Sequence, residues 1–547
     1  MTTLLFPGRH LVNTRFQEAC LLAVLGRPLA GLPTLGGPAP GGAVTDVVFA
    51  VTSANQSHSR YNPLPFHARA LGVDRFGRQL REALGVRYRI VGVPHFDPTE
   101  RFCAHILKAI AEETEDDLTL SPTDTVVVCS TPGLIEEWAE LGFCVLPAEF
   151  AGPDLPPLAE RPIDLVKRLA EFGDGWSQDP GLRQALAPAW LSLFLDFPEL
   201  PRRITRLYRD PLLTDSGSLT ETRDYGTYAR AMDSIIDLKF QEIRPGLTPG
   251  KIVDEGCADG GLLARIARDH PDSDLIGIDI AAEFIARAHE RMRAGEFGGT
   301  FVHFHQRNLL TPIFRPGSID TTICNSTLHE LWSYGEGRST VEAYLAEKFR
   351  QTRAGGTLVI RDVVGFAERD REVWMVCDEA DGSNEEPLRD VSGAQALATY
   401  LEGLSTRARF LRFARDFQAA LRAQGRRGDE TRVRYEEATV GGRPAFRLRF
   451  QDGVEFMTKM TYVDNWDSEM NESFAFWGFD EWKEALHRAG FHVVESSVEP
   501  TLGSRAYLNA WRVANDFKDR VRFFADAQGE QPLPLPPTNM ILIGRKP

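Results

Sequence analysis

One segment of the sequence combines small residues with a later acid at a spacing that suits nucleoside binding. The segment Lys251–Gly261 reads KIVDEGCADGG and places Gly256, Ala258 and Gly260 at alternate positions. Small residues there let backbone N–H groups approach a ligand closely at the start of a helix. Asp279 follows Gly260 by nineteen residues, at the end of the apolar run DLIGID. A carboxylate in that place can accept hydrogen bonds from both ribose hydroxyls.

This order of strand, glycine-rich turn, helix, strand and acid resembles the opening of class I S-adenosylmethionine (SAM) methyltransferases. Their first motif, hhDhGxGxG, is matched by IVDEGCADG, with Asp254 in the strand and Ala258 replacing the middle glycine. The resemblance covers about residues 218–365 and 475–547, and it implies a Rossmann-like domain that uses SAM as its cofactor. A dinucleotide-binding domain is the alternative. The turn GCADG and the acid within the strand disfavour it.

The resemblance also implies cofactor and acceptor residues further along the chain. Asn308 lies where the family often holds an aspartate against adenine, Asn325 ends a fourth strand, and Tyr228 is a candidate for a lid over SAM. Methyl transfer depends mainly on alignment, and it needs a general base only where the acceptor must lose a proton. The candidate catalytic residues stand at the ends of the fourth and fifth strands: His329, Glu330 and Asp362.

A second polar cluster lies near the N-terminus, in the segment SANQSHSRYNPLPFHAR after the strand VVFAV. Polar groups at the end of a strand mark the ligand crevice of an open α/β sheet. The segment resembles archaeal-type nicotinamide mononucleotide adenylyltransferases, and the resemblance covers residues 3–190. It implies a nucleotide pocket formed by Gly8, Arg9, Ser53, Ser57 and His58.

The catalytic signatures of that second family are degenerate in this chain. Thr14 and Gln17 occupy the positions where the family has two histidines that hold the departing pyrophosphate, and His10 is the nearby histidine. The later hydroxyl–arginine signature reads ERPIDLVKRL, which leaves Lys167 and Arg168. Charge that develops on pyrophosphate needs preorganised donors. We therefore expect nucleotide binding with little adenylyl transfer.

The elements that must position these groups alternate between strands and helices in two parts of the 547-residue chain. This pattern predicts two doubly wound α/β domains joined by a helical linker. The predicted ranges are 1–190 for the nucleotidyltransferase-like domain, 191–245 for the linker and 246–547 for the methyltransferase domain. Residues 366–475 interrupt the last domain as an α+β insert, which we expect to form a cap over the pocket.

The insert contains an arginine-rich run and an aromatic-rich run. Nine arginines and three acids lie between residues 405 and 435. This run is typical of a solvated helix face, with an anion site for a phosphorylated acceptor or an RNA contact as alternatives. The later aromatic residues either wall the acceptor pocket or form core; they are Trp466, Phe474, Phe476 and Trp477.

Composition limits the partners of the protein. A net charge of −15 disfavours wholesale nucleic-acid binding. Seven widely spaced cysteines without a CxxC motif predict neither a metal site nor disulfides, and no apolar run is long enough to span a membrane. We expect a cytoplasmic SAM-dependent methyltransferase with a small-molecule acceptor, such as a nucleotide or specialised metabolite. An RNA methyltransferase and a bifunctional or nucleotide-sensing protein of NAD metabolism remain alternatives. The acceptor atom and the oligomeric state stay open.

Overall fold

The fold comes from a computed structural model that describes residues 2–96, 101–147, 161–210, 213–215, 217, 235–423, 433–496 and 502–547, with the backbone alone for 418–423. The chain divides into two compact units, Met1–Gly217 (unit 1) and Ser218–Pro547 (unit 2). Among the described residues, no helix has both the length and the apolar character that crossing a bilayer requires.

Unit 1 is an α/β unit with one central sheet. Its strands are β1 (Thr2–Gly8), β2 (Leu35–Gly36), β3 (Val44–Val51), β4 (Arg87–Gly92), β5 (Thr125–Val128) and β6 (Cys144–Leu146). Its helices are α1 (Arg15–Leu25), α2 (Phe66–Leu84), α3 (Phe102–Glu113), α4 (Pro132–Glu140), α5 (Pro162–Phe172), α6 (Pro180–Ala185), α7 (Pro188–Asp196) and α8 (Glu199–Arg209). The strand order is β2-β6-β5-β1-β3-β4, and the five strands from β6 to β4 are parallel.

The helices that follow the sheet of unit 1 are part of its core. Trp190 of α7 is fully buried, and its indole N–H donates to the side-chain oxygen of Asn13 at 2.8 Å. Leu165 of α5 and Ile204 of α8 belong to the same apolar cluster as Trp190. The structure therefore places residues 191–209 in unit 1 rather than in a separate linker.

Unit 2 contains a larger, mainly parallel sheet. Its strands are β7 (Lys251–Glu255), β8 (Asp274–Asp279), β9 (Val302–Gln306), β10 (Ile319–Asn325), β11 (Thr352–Val363), β15 (His492–Val493), β16 (Arg505–Tyr507) and β19 (Asn539–Arg545). The helices around it are α9 (Gly261–Asp269), α10 (Ala282–Arg293), α11 (Leu328–Tyr334), α12 (Arg338–Gln351) and α16 (Phe479–Ala489). The order β15-β19-β11-β10-β7-β8-β9, with β16 beside β19, is the Rossmann-like architecture that the sequence predicts.

A second sheet in unit 2 is antiparallel and has the order β13-β14-β12-β17-β18. Its strands are β12 (Glu372–Cys377), β13 (Tyr435–Val440), β14 (Arg443–Arg449), β17 (Val521–Phe524) and β18 (Pro532–Leu533). The helices α13 (Ala394–Gly403), α14 (Thr406–Ala423) and α15 (Phe450–Lys459) accompany it. β17 and β18 lie beyond the range 366–475 predicted for the insert, so the sheet joins two distant parts of the chain.

A buried ion pair fixes helix α12 against the centre of the parallel sheet. Glu255 ends β7, and its carboxylate accepts hydrogen bonds from Lys348 Nζ and from the Tyr344 hydroxyl, both at 2.5 Å. All three side chains are buried. Because a buried charge is stable only with its partner, removal of one member is costly.

Replacement of the buried cation tests this role. Lys348→Met leaves the Glu255 carboxylate without its positive partner, so we expect the free energy of unfolding to fall by about 3–5 kcal/mol. Urea unfolding followed by tryptophan fluorescence measures the change. Arg350→Met is the matched control, because Arg350 makes an exposed pair with Glu347 and its loss should change stability little. Equal effects of the two substitutions would contradict the prediction.

Candidate functional site

The turn between β7 and α9 brings the backbone very close to a neighbouring loop. Gly256 and Gly260 have φ angles of +79° and +78°. A Cβ at Gly256 would lie 2.2 Å from Thr327 Oγ1, so only glycine fits there. Ala258, in place of the family's middle glycine, also adopts a left-handed φ of +46°. This conformation is costly for a residue with a Cβ, so the turn keeps the geometry of a glycine-rich loop despite the substitution.

Asp279 ends the adjacent strand β8 and braces this turn. One carboxylate oxygen accepts the N–H of Ala258 and the other accepts the N–H of Ala281, both at 2.9 Å. The parallel pairing of β7 with β8 puts the turn and Asp279 at the same edge of the sheet. The structure thus brings together the glycine-rich turn and the acid that the sequence predicts.

Asp254 and Lys239 are buried and interact electrostatically with each other. Burial, the largest cause, and the charge of Asp279 raise the pKa of Asp254 to about 7, against the opposing effect of Lys239. Burial, the largest cause, and the charge of Arg361 together lower the pKa of Lys239 to about 7, against the opposing effect of the nearby acids. Within the described part of the chain, Asp254 Oδ1 is buried without a hydrogen-bond partner. An acceptor in this state suits a ligand that brings a hydrogen-bond donor.

The other predicted cofactor residues stand at neighbouring strand ends or outside the described residues. Asn308 follows β9 and is buried, with its side-chain oxygen accepting the N–H of Leu310 at 2.9 Å. Asn325 is the last residue of β10, which pairs with β7, and it precedes Ser326 at a left-handed φ of +56°. Tyr228 lies outside the described residues.

Asp362, at the end of β11, organises the start of helix α11. Its Oδ2 accepts the N–H groups of Thr327, Leu328 and His329 at 3.1, 2.7 and 3.3 Å. Its Oδ1 accepts the N–H of Val363 and lies 2.7 Å from His329 Nδ1. Both oxygens of Asp362 are therefore engaged, and the carboxylate holds the imidazole in one orientation.

His329 is enclosed by acidic and aromatic side chains. Its Nε2 lies 3.4 Å from Glu472 Oε2, and the Phe474 ring meets the imidazole edge to face at 5.0 Å. Burial lowers the pKa of His329, but Asp362 and Glu472 outweigh it, so the pKa is raised well above its usual value. Glu330, the next residue on α11, is half-buried beside this group.

The loop that carries Glu472 is attached to both α11 and α15. The N–H of Ser473 donates to Ser333 Oγ at 2.8 Å. Glu455 of α15 accepts the N–H groups of Phe474 and Ala475, and it pairs with buried Lys459 at 2.5 Å. These contacts place the aromatic-rich run against the ends of β10 and β11.

The sequence analysis did not single out Glu472, Glu455 or Lys239. Glu472 lies in the aromatic-rich run, but no spacing rule connects it with His329. Of the aromatic residues named there, Phe474 faces His329, and Phe476 stacks on Trp332 with ring centroids 4.2 Å apart. Trp466 instead belongs to the core beside the antiparallel sheet.

The described arginines of the run 405–435 are largely occupied within unit 2. Arg409 is buried and donates to the carbonyl oxygens of Leu401, Leu404 and Met460. The others described on α14 pair with nearby acids: Arg407 with Glu437, and Arg412 and Arg415 with Asp416. These contacts favour a structural role for this part of the run.

In unit 1, a buried arginine connects the two loops of the predicted nucleotide pocket. The Arg69 guanidinium donates to the carbonyl oxygens of Arg9, Thr52 and Ser53 at 2.7 to 2.9 Å. The N–H of Thr52 donates to the Gly8 carbonyl at 2.9 Å. Three of the five predicted pocket residues, Gly8, Arg9 and Ser53, are thereby held at the shared ends of β1 and β3.

The segment with Ser57 and His58 is joined to the same edge. Arg9 Nη1 donates to the carbonyl oxygen of Tyr61 at 3.1 Å. Ser53 and His58 adopt left-handed φ angles of +54° and +60°, which mark a tightly folded loop. Ser57 is half-buried within it.

The positions where the adenylyltransferase family has catalytic histidines serve a structural purpose in this chain. Thr14 is the N-cap of α1 and forms a capping box with Gln17, so both side chains satisfy backbone groups. His10 is buried against Phe6 and Phe49, and burial lowers its pKa to about 4. A neutral, enclosed imidazole cannot supply positive charge to pyrophosphate.

The two later basic candidates of unit 1 lie on helix α5. Arg168 lies 3.4 Å from Asp179, with which it forms a partly exposed ion pair. Lys167 is the preceding residue on α5.

Comparison with known proteins gives a family match within unit 2. Residues 249–410 match the family described as "Methyltransferase domain". An uncharacterized protein of Synechococcus is 30% identical over 102 residues, which are 19% of this chain and 24% of that protein. The match therefore spans about a quarter of that curated relative.

Solved methyltransferases show weaker overall similarity. A SAM-dependent methyltransferase of Methanosarcina mazei is 15% identical, covers 56% of this chain and 96% of its own, and has a TM-score of 0.28. One of Mesorhizobium loti is also 15% identical, covers 59% and 100%, and has a TM-score of 0.30. These values add nothing to the assignment that the family match supports.

The raised pKa of Asp254 predicts a pH-dependent effect on stability. The folded pKa of about 7 exceeds the usual 3.8, so ionisation of Asp254 costs stability as the pH rises from about 4 to 7. Asp254→Asn removes this cost. We expect the stability of the variant relative to the parent to rise over that range, by up to about 4 kcal/mol, and to level off above it.

Urea unfolding of both proteins at several pH values measures this difference. Asp274→Asn, at an exposed position at the start of β8, is the control for the loss of one acidic residue. If the stability curves of Asp254→Asn and the parent run parallel from pH 4 to 8, the assignment of a costly buried charge is wrong.

Proposed function

We propose, from the premise that residues 249–410 form a SAM-dependent methyltransferase domain, that this protein transfers the methyl group of SAM to a small-molecule acceptor. The observation that carries the proposal is the juxtaposition of the Gly256–Gly260 turn and Asp279 at the ends of β7 and β8. SAM supplies an electrophilic methyl group. The protein must hold both partners in line and exclude water.

The residues at this edge suit the groups that SAM carries. The left-handed turn from Gly256 to Gly260 is the proposed contact for the methionine part. We propose that Asp279 accepts hydrogen bonds from the ribose hydroxyls and that Asp254 Oδ1, through water or directly, receives a donor of the methionine part. Asn308 and Asn325 are the proposed contacts for the adenine and for the methyl side of the pocket.

The acceptor end of the pocket is proposed to lie around His329. It is built from His329, Glu330 and Glu472, with the Phe474 ring as a wall. His329 and Glu472 are buried, which suits a small molecule better than a polymer. The described arginines of α14 are engaged within unit 2, so they offer little support for RNA as the acceptor.

The polar groups of this pocket divide the chemical tasks. We assign Asp362 a positioning role, because both of its oxygens already bind α11, Val363 and His329. His329 is the proposed contact for an oxygen or nitrogen of the acceptor. Glu330, which is more exposed, is the proposed group to take a proton from that atom as the methyl bond forms.

For unit 1 we propose nucleotide binding without efficient adenylyl transfer. The loops that carry Gly8, Arg9 and Ser53 are held together by Arg69. Thr14 and Gln17 cap a helix, and His10 is buried with its pKa lowered to about 4. This combination keeps a binding surface but lacks the charge that two histidines at positions 14 and 17 would supply to a departing pyrophosphate.

The cofactor assignment predicts a loss of SAM affinity when Asp279 changes. Asp279→Asn removes the charge that strengthens the ribose hydrogen bonds, so binding should weaken by about 2–3 kcal/mol, roughly 30- to 150-fold. Isothermal titration calorimetry with SAM and with its demethylated product measures the affinity.

Glu283→Gln, at a nearby exposed acid on α10, is the matched control and should bind SAM like the parent protein. Circular dichroism checks that the turn next to Asp279 still folds. Unchanged affinity in folded Asp279→Asn would refute the ribose assignment.

The assignment of unit 1 predicts slow adenylyl transfer. With ATP, nicotinamide mononucleotide and magnesium, we expect pyrophosphate release far below 1 s⁻¹, the low end of ordinary enzymes. ATP should nevertheless bind, and Arg9→Ala should weaken that binding several-fold, whereas Arg15→Ala on the exposed face of α1 should not. Turnover of 1 s⁻¹ or faster would show that other groups supply the missing charge.

A further inference from the structure

Three potential metal ligands meet at the acceptor end of the unit 2 pocket. Among the described residues, His329, Glu330 and Glu472 each offer one nitrogen or oxygen atom within 4.8 Å of the others. His329 and Glu330 come from α11, and Glu472 comes from the distant aromatic-rich run. The sequence analysis predicted no metal site, because the three residues follow no ligand-spacing motif.

The surroundings orient these groups as a metal site requires. Asp362 lies 2.7 Å from His329 Nδ1 and so directs Nε2 toward the two glutamates. A carboxylate behind a ligating histidine is the usual outer partner in metal sites. The Tyr334 hydroxyl donates to Glu472 Oε1 at 3.4 Å, and Glu472 Oε2 lies 3.4 Å from His329 Nε2.

That last separation matches two ligands of one ion. Metal–nitrogen and metal–oxygen bonds of about 2.0–2.2 Å put neighbouring ligand atoms roughly 3.0–3.5 Å apart. The distance of 3.4 Å between His329 Nε2 and Glu472 Oε2 lies within this range. The same distance is long for a charge-assisted hydrogen bond.

We propose that His329, Glu330 and Glu472 bind one divalent transition-metal ion. One imidazole and two carboxylates make a mixed nitrogen and oxygen set, which suits Mn²⁺, Fe²⁺ or Zn²⁺ better than Ca²⁺. Binding forms the bond between Nε2 and the metal, and a proton carried by Nε2 passes to solvent. Lys459, which lies beside this loop, is paired with Glu455 and contacts the face of the Phe474 ring.

Three protein ligands leave coordination positions open for an acceptor. The proposed acceptor would therefore carry two neighbouring oxygen atoms, or an oxygen and a nitrogen, that chelate the metal beside the SAM methyl group. With the ion bound, His329 and Glu330 would act on the acceptor through the metal instead of by direct contact and proton transfer, and the acceptor's proton would pass to solvent. This role of the ion rests on the proposed methyl transfer. The binding of the ion does not, so the two can fail separately.

Metal binding can be measured on the full chain without any acceptor. The protein is treated with EDTA, dialysed and titrated with Mn²⁺ while the electron paramagnetic resonance signal of free Mn²⁺ is followed. We expect one ion per chain, displaced by Zn²⁺. Glu472→Gln and Glu330→Gln should each weaken binding by more than about 100-fold, beyond the loss typical of outer partners.

Glu336→Gln, at an exposed acid just after α11, is the matched control and should bind Mn²⁺ like the parent. Circular dichroism of the same samples shows that the variants are folded, and SAM binding is measured in parallel. The proposal is overturned if neither ion binds at millimolar concentration, which would leave an ion pair of His329 with Glu472. It is also overturned if binding persists in both Glu472→Gln and Glu330→Gln. A chain that binds the metal but not SAM would contradict the proposed function alone.

Discussion

The carboxylate of Asp362 is the contact on which the candidate site of unit 2 depends. It accepts three backbone N–H groups at the start of α11 and also the imidazole of His329. Without it, the first turn of α11 would have unsatisfied donors in a buried place, and His329 could rotate. One side chain at the end of β11 thus fixes both a helix and the group that the helix presents.

A second buried carboxylate, that of Glu455, holds the loop on the other side of the candidate site. Glu455 binds the N–H groups of Phe474 and Ala475 and is neutralised by Lys459. It therefore holds the loop that carries Glu472 in front of α11. The two segments are far apart in the chain, and polar contacts together with the stacking of Phe476 on Trp332 hold His329 and Glu472 near each other.

Unit 1 also has polar groups at the ends of parallel strands. The loops around Gly8 and Ser53 are tied by Arg69, and the edge of the sheet keeps polar groups. Thr14 and Gln17 now stabilise a helix, and His10 fills an aromatic enclosure. Nucleotide binding needs shape and neutral donors, whereas pyrophosphate release also needs charge. The proposed nucleotide binding therefore does not depend on efficient adenylyl transfer.

The sequence by itself determined the parts of this protein that depend on local order. The turn at Gly256–Gly260, the acid at Asp279 and the alternation of strands and helices are set by residues close in sequence, and they predicted both α/β units. The sequence also identified Ala258 as the replacement for the middle glycine of the motif, because the residues around it match. The structure gives it the left-handed backbone of a glycine-rich turn.

Only the tertiary structure decided which distant groups meet. No spacing in the sequence predicts the partners of His329, the pairing of Lys348 with Glu255 or the pairing of β12 with β17. These contacts join residues that are far apart in the chain. The shifted pKa values of Asp254 and His10 could not be predicted from the sequence either, because burial is a property of the folded molecule. Neighbouring residues determine local backbone geometry, whereas charge balance and ligand sets arise where separate segments of the chain pack together.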